Sequence, residues 1–271
     1  MKLVDDLGRT VIVPKAPARI VSLVPSDTYS VIALGAGARL VGRTSYCDAP
    51  GVPAVGGTKD ADVAAILALE PDLVIANQEE NTRATLEAIA AARVPVLVSL
   101  PRTVKAGIAH LARLARLIGV AGDPKVKTLI RRGYALAEAP PPRARAFCPI
   151  WMEPLMTLNA DTFGSDVLAH AGIANAFGDR LRLYPLAADL GKTAPADAGQ
   201  RDVRYPRVTL DEVRARGADV IVLPDEPHAF SAEDEAVLHT ALPAARVVRV
   251  VGKDLFWYGA WTIEAIPRLA L

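Results

Sequence analysis

The chain has 271 residues, 51% of them hydrophobic, and its 31 basic and 30 acidic side chains leave a formal charge of +1. That length accommodates one large domain or two lobes of ordinary size, and the near-neutral balance argues against a nucleic-acid partner, which demands a basic face. No run of about 20 apolar residues occurs, so nothing here reads as a membrane-spanning helix.

The N-terminal "MKLVDDLGRT" lacks the apolar core of a secretory signal, which leaves either a cytoplasmic protein or one whose leader has been removed. Asp6-Leu7-Gly8-Arg9 signals a hairpin. "RIVSLV" is a short apolar strand stopped by Pro25, and "SDTYSVIALGAG" reads as a helix capped by Ser26 or Asp27 and closed by Gly35 and Gly37. The strand "LVGRTSY", the helix "DADVAAILALE", the strand "DLVIAN", the helix "NTRATLEAIAAAR" and the strand "VPVLVSL" follow. Strands separated by single helices imply crossover connections, hence a largely parallel sheet buried on both faces. Such burial explains strands that are solidly apolar instead of alternating.

Val104 to Ala139 is nearly all helical signal, broken around "GVAGDP". Asp123 caps a helix whose first residue is Pro124 and which runs to the stop at Pro140-Pro141-Pro142. About 16 residues give roughly 24 Å, enough to cross between two lobes. The pattern then restarts with strand "RAFCPIW", helices "SDVLAHAGI" and "LDEVRARG", strand "DVIVLP", helix "AEDEAVLHTA" and strand "RVVRVV". "PDLVIANQEE" and "ADVIVLPDEP" are near-copies: one offset of 147 residues takes Asp72 to Asp219, Leu73 to Val220, Ile75 to Val222 and Glu79 to Glu226. The expected fold is therefore α/β: two similar lobes of mainly parallel sheet flanked by helices, joined by one long backbone helix. The N-terminal lobe covers 1–122, the linking helix 123–140 and the C-terminal lobe 141–271.

Ligands of open parallel sheets collect at the carboxyl ends of the strands. Those ends offer Tyr46, Thr58, Asn77, Glu79 and Glu80 in the first lobe, and Trp151, Glu153, Tyr205, Glu226, Trp257 and Tyr258 in the second. Rings with a few carboxylates and amides suit a concave site for a bulky planar ligand. No GxSxG, Walker or HExxH pattern occurs. Cys47 and Cys148, far apart and with no CxxC, read as buried free thiols, and the four His have no metal-like spacing.

"RIVSLVPSDT", "LVGRTSYCDAP", "ALEPDLVIAN", "RYPRVTLDEV" and "KDLFWYG" resemble, in order and over nearly the whole chain, the helical-backbone substrate-binding proteins of ABC importers. Their branches take vitamin B12, ferric siderophores or haem, and the likeness is greatest to the B12-binding branch. It implies a non-catalytic receptor holding cobalamin or another metal chelate in the cleft between two lobes, in the periplasm or cell envelope, with no covalent cofactor and with importer membrane subunits as partners. It places Tyr46 against the corrin, an aromatic at Tyr205 and an acid near the ligand at Asp254, whereas Thr58, Asn77 and Ile150 stand where B12 receptors present rings. It also implies an importer-docking acid on each lobe: Asp211 or Glu212 on the second, with Ala64 at the matching place on the first. The alternatives are a ferric siderophore or haem binder, or a cytoplasmic sensor or enzyme using Glu79, Glu80, Glu226 and His228 as its acid/base set.

Overall fold

The computed structural model describes residues 1–136 and 138–269. They form two compact α/β units, the first holding the chain up to 136 together with Trp257–Ile263, the second holding the rest.

The first unit opens with an antiparallel pair, β1 (Lys2–Val4) and β2 (Thr10–Ile12). There follow β3 (Ile20–Ser22), α1 (Pro25–Ala33), β4 (Leu40–Arg43), α2 (Val63–Ala68), β5 (Leu73–Asn77), α3 (Arg83–Ala91), β6 (Val96–Ser99), α4 (Val104–Ile118) and α5 (Pro124–Tyr134). The four central strands form a parallel sheet in the order β4-β3-β5-β6. Every residue of β3, β5 and β6 is buried, as the uninterrupted apolar runs predict, and Val21, Leu23, Ile66, Val74, Leu86, Ile89 and Val98 pack into one core.

Two helices depart from expectation. Helix α1 is capped by Val24 without any side-chain bond, and Pro25 takes the first turn, where a missing N–H costs nothing. Asp27 is turned inward to a buried partner instead of capping. Helix α5 keeps its Asp123 cap but ends at Tyr134, short of the expected run to Pro140. Gly133 near its end lies against α4, where a Cβ would meet Ile108 Cδ1 at 2.7 Å. The close approach fixes α5 on α4.

The second unit comprises β7 (Ala144–Phe147), β8 (Pro149–Met152), β9 (Leu155–Thr157), α6 (Phe163–His170), β10 (Ile173–Asn175), α7 (Leu186–Asp189), α8 (Leu210–Arg216), β11 (Val220–Pro224), α9 (Ala232–Ala241), β12 (Arg246–Val250) and α10 (Gly252–Phe256). Helix α11 (Ala260–Arg268) ends in this unit. The parallel sheet runs β10-β7-β11-β12, the same order as in the first unit. Its core is Phe147, Phe177, Val213, Ile221, Leu223 and Leu238. "RAFCPIW" is not one strand: β7 belongs to the parallel sheet, while β8 pairs antiparallel with β9. Pro149 has no N–H for a continuing ladder, which suits a break at that point.

The repeat that takes Asp72 to Asp219 is one of bonding as well as of sequence, although the partner arginines, Arg19 and Arg145, do not share the 147-residue offset. Asp72 N donates to Arg19 O at 2.8 Å while Asp72 Oδ2 accepts Arg19 N at 3.0 Å, and Arg19 Nη2 reaches Leu69 O at 2.6 Å. In the second unit Asp219 N donates to Arg145 O at 2.8 Å, Asp219 Oδ2 accepts Arg145 N at 2.8 Å, and Arg145 Nη1 reaches Arg216 O at 2.6 Å. The apolar strand interiors demand burial, and the Asp at each strand entrance aligns the neighbouring strand. Asp72→Ala and Asp219→Ala are each expected to lower unfolding free energy by about 1 kcal/mol, the net worth of such bonds, read as a shift in the urea midpoint at unchanged slope.

No helix of the described residues is long and apolar enough to cross a membrane.

Candidate functional site

At the carboxyl ends of the first unit's strands lies a buried polar network that no single stretch of sequence displays. Tyr258 Oη donates to Asp27 Oδ2 at 2.8 Å and lies 2.8 Å from Ser99 Oγ, while Asn77 Nδ2 donates to it at 3.2 Å. Asp27 Oδ1 is 2.8 Å from His110 Nε2, and Arg113 Nη2 is 2.6 Å from His110 Nδ1. A guanidinium can only donate, so Nδ1 accepts and Nε2 carries the proton toward Asp27. Arg113 continues to Asp6 at 2.6 Å. Burial of Tyr258, with the Asp27 carboxylate beside it, holds its phenol well above the ordinary tyrosine range. Burial also raises the Asp6 carboxyl, but bonds from Arg113 and Leu100 N outweigh it and leave Asp6 below the usual range. Ser99 and His110 were not among the expected site residues, and Asp27 was expected at the end of the first strand as a candidate helix cap. The available signal was a lone His on the apolar face of α4, between Ile108 and Leu111, where a buried imidazole must find partners.

The network seats the sequence-predicted residues around it. Asn77 Oδ1 accepts Glu79 N at 2.7 Å, and Asn77 N donates to Asn81 Oδ1 at 2.9 Å, so the β5 end turns sharply and carries Glu79 with it. Asn81 Nδ2 in turn holds Thr58 O at 3.0 Å, and Lys59 Nζ bonds Glu79 O. Tyr46 is 68% exposed beyond β4, its ring lying over Gly57, where a Cβ would be 3.3 Å from Cε2. Cys47 beside it is buried, with the hydroxyls of Thr28 and Thr44 each 3.1 Å from Sγ.

Trp257 and Tyr258 follow helix α10 rather than a strand. Tyr258 is fastened by the network, and Ala260 N donates to Ser30 Oγ at 3.1 Å. Gly259 has φ +78°, and a Cβ there would stand 2.5 Å from Ser30 Oγ. Trp257 packs edge-on against Trp261 at 5.3 Å and Trp261 against Tyr29 at 4.9 Å. Within this unit, therefore, Asn77, Glu79 and Tyr258 belong to one hydrogen-bonded group, and Trp257 sits next to it in sequence, packed on Trp261.

In the second unit Trp151 is 43% exposed on the hairpin of β8 and β9, and its Nε1 donates to Glu153 O at 3.1 Å. Its ring lies 5.2 Å from His228, which packs on Phe230 at 4.7 Å and bonds Asp234 at 3.2 Å. Asp234 also takes the Ser231 N–H in a capping box, which with His228 outweighs its burial and lowers its carboxyl. Glu153 is exposed; Tyr205 is half-buried on an irregular stretch, with Arg204 5.4 Å from its ring. Asp254 is buried and bidentate with Arg268, at 2.9 Å and 2.5 Å. Among the described residues no three His, Cys, Asp or Glu are gathered as a metal site. Burial pushes the Cys148 thiol up to about 12, and both cysteines are free and buried. A disulfide-exchange reagent at pH 8 is expected to find no reactive thiol in the native protein and two after denaturation.

No protein-family model matches the chain. The vitamin B12-binding protein of Yersinia pseudotuberculosis serotype O:3 (strain YPIII) is 30% identical over 273 residues, covering 95% of this chain and 84% of the relative. The chain belongs to the vitamin B12-binding protein family. Solved structures of periplasmic binding proteins share its fold. The periplasmic vitamin B12 binding protein BtuF of Vibrio cholerae superposes with a TM-score of 0.71 at 23% identity, over 95% of this chain and 96% of that one. The periplasmic heme-binding protein RhuT from Roseiflexus sp. RS-1 does so with a TM-score of 0.71 at 22% identity, over 93% and 96%.

Within that family frame the two expected docking acids differ in availability. Asp211, in the first turn of α8, has a side chain 90% exposed and paired with Arg214 at 2.5 Å. Glu212 is taken up by Arg180 at 2.9 Å and Arg216 at 3.3 Å. The repeat offset places Asp62, the cap of α2, opposite Thr209, the cap of α8, and so sets exposed Ala64 opposite Asp211.

Proposed function

We propose that this chain is a non-catalytic binding protein for a cobalamin-like corrinoid or related metal chelate, serving an ABC importer from the cell envelope. The observation that carries this reading is the 30% identity, over 95% of the chain, to a vitamin B12-binding protein. Stacking falls to Tyr46 and Trp257 of the first unit and Trp151 and Tyr205 of the second, since planar ligands are held by large amphipathic rings. Thr58, Asn77, Glu79, Glu153 and Tyr258 supply or position the polar groups. Asp254 acts through Arg268, tying α10 to α11 on either side of the Trp257–Gly259 turn in the sequence. Of the two candidate docking acids, Asp211 is the one open to an importer.

The test is a titration of tryptophan fluorescence with cyanocobalamin. Strong quenching that saturates at one equivalent is the expected result. A flat response to cobalamin with saturable quenching by haemin moves the ligand to the haem class. Flat responses to both would sink the chelate reading.

A further inference from the structure

The segment from Arg180 to Arg207 carries six basic and three acidic side chains, a net +3 in a chain whose total is +1. Two stretches of it run side by side. Arg182 N donates to Val203 O at 2.8 Å, and Tyr184 Oη donates to Asp202 O at 2.7 Å. Asp189 fastens the same two stretches, taking Leu183 N on Oδ1 and Arg207 N on Oδ2, each at 2.8 Å.

This fastening uses the local acids. Asp189 also pairs with Arg180 at 3.1 Å, Asp202 pairs with Arg204 at 2.7 Å, and Asp197 closes its own turn on Gly199 N at 2.9 Å. Among the described residues Arg182, Arg201 and Arg207 have no carboxylate within ion-pair distance. Two of these guanidinium groups share one ring: Arg182 Cζ is 4.7 Å and Arg201 Cζ 4.1 Å from the centroid of Tyr184. Nε of Arg182 and Nε of Arg207 are buried without a hydrogen-bond partner, an arrangement that native structures rarely leave unanswered. A guanidinium whose face is held by a ring offers its N–H groups to acceptors in its own plane, a geometry that matches a carboxylate or phosphate oxygen pair. Arg182 has Nε without a partner, whereas Arg201 has given Nε and Nη2 to the carbonyls of Ala198 and Asp197 and has Nη1 left to offer. Tyr205, one of the candidate stacking rings, lies in the same segment.

We infer that this arginine-lined fold-back is an anion-receiving subsite, taking a carboxylate or phosphate group carried at the edge of the ligand. The inference rests on the binding-protein reading and adds to it the charge of the ligand's periphery.

The experiment titrates four probes at low and moderate salt: cyanocobalamin, which carries a phosphodiester, and dicyanocobinamide, which lacks it; haemin, which carries two carboxylates, and its dimethyl ester, which has none. Citrate alone is a fifth probe, read as a rise in Tm. The variants are Arg182→Gln/Arg201→Gln and Arg201→Gln alone. Arg201 is exposed and bonds only backbone carbonyls of Asp197 and Ala198, so the single variant keeps the test readable should the double one fail to fold. Wild type is expected to prefer the anion-bearing member of whichever pair it binds by roughly tenfold or more. That preference should shrink with salt and vanish in the variants, with affinity for the neutral member unchanged. Preference within the first pair assigns the anion to phosphate, within the second to carboxylate. Equal binding of both members, or a preference the variants retain, overturns the subsite and leaves the chelate reading standing. Citrate stabilisation lost in the variants, with no tetrapyrrole bound, overturns the chelate reading and leaves the subsite. No response to any probe overturns both.

Discussion

Asp27→Ala is expected to lower the unfolding free energy by several kcal/mol, about 1–3 kcal/mol for each of the two buried donors it would leave without an acceptor. Asp27 is fully buried, and its two oxygens serve His110 at 2.8 Å and Tyr258 at 2.8 Å. Its removal leaves an imidazole N–H and a phenol without an acceptor in a region that water does not reach. Tyr258→Phe removes one bond from the same carboxylate and should cost less, about 1–2 kcal/mol, so equilibrium urea unfolding of the two variants ranks the network. The phenol adds a pH signature. Its folded pKa is raised by burial and by Asp27, so the folded state holds that proton more tightly than the unfolded chain. The stabilisation is whole below about pH 10, the unfolded tyrosine value, and is lost progressively as pH rises above it. Stability measured from pH 8 to 11 should fall more steeply in wild type than in Tyr258→Phe. Parallel slopes would show that the buried phenol is not the group responsible.

In the second unit Phe147→Ala is expected to cost about 3–5 kcal/mol, the range for truncating a buried phenylalanine. Phe147 is wholly buried at the end of β7, 5.2 Å from the ring of Phe177, within a cluster that includes Ile221 and Leu238. The neighbours come from strands and a helix fixed by their own hydrogen bonds, so the space cannot close by simple collapse. Phe147→Leu retains most of the volume and should cost about 1 kcal/mol. Urea unfolding followed by circular dichroism distinguishes the two. An alanine variant as stable as the leucine variant would mean that the cluster repacks freely.

The architecture was legible because burial on both sheet faces writes itself as unbroken apolar runs, as in Leu73-Val74-Ile75-Ala76 and Val220-Ile221-Val222-Leu223. The repeat was legible because the same Asp precedes both runs. The caps of α2 and α9 at Asp62 and Ser231 are local signals too. Asp27 misled for the same local reason: an acid near a helix start reads as a cap, yet its partner His110 lies 83 residues away. Tyr258 stood out in "KDLFWYG" as an aromatic for the ligand, and nothing in that stretch reveals a hydroxyl bonded to a residue 231 positions earlier. Asp254 was expected as an acid near the ligand, and nothing local shows its partner Arg268, which is 14 residues on, beyond a glycine turn. The arginines around Tyr184 were passed over because acids are interleaved with them, and only the folded chain shows which acids are already engaged.

The doubled Asp–Arg clamp gives the molecule an internal control for its own divergence. Because Asp72 and Asp219 hold equivalent backbone positions, residues from α2 to the end of β5 can be compared with counterparts 147 positions along, in α8 and β11, without a second protein. Shared pairs such as Glu79 and Glu226 mark what the common scaffold asks for at that place. Broken pairs mark labour divided between the copies: Asn77 turns a strand end where Pro224 cannot donate, and Asp211 presents a charge where Ala64 presents none. Exchanging the members of a broken pair therefore asks a question about task, whereas exchanging the members of a shared pair asks only about shape.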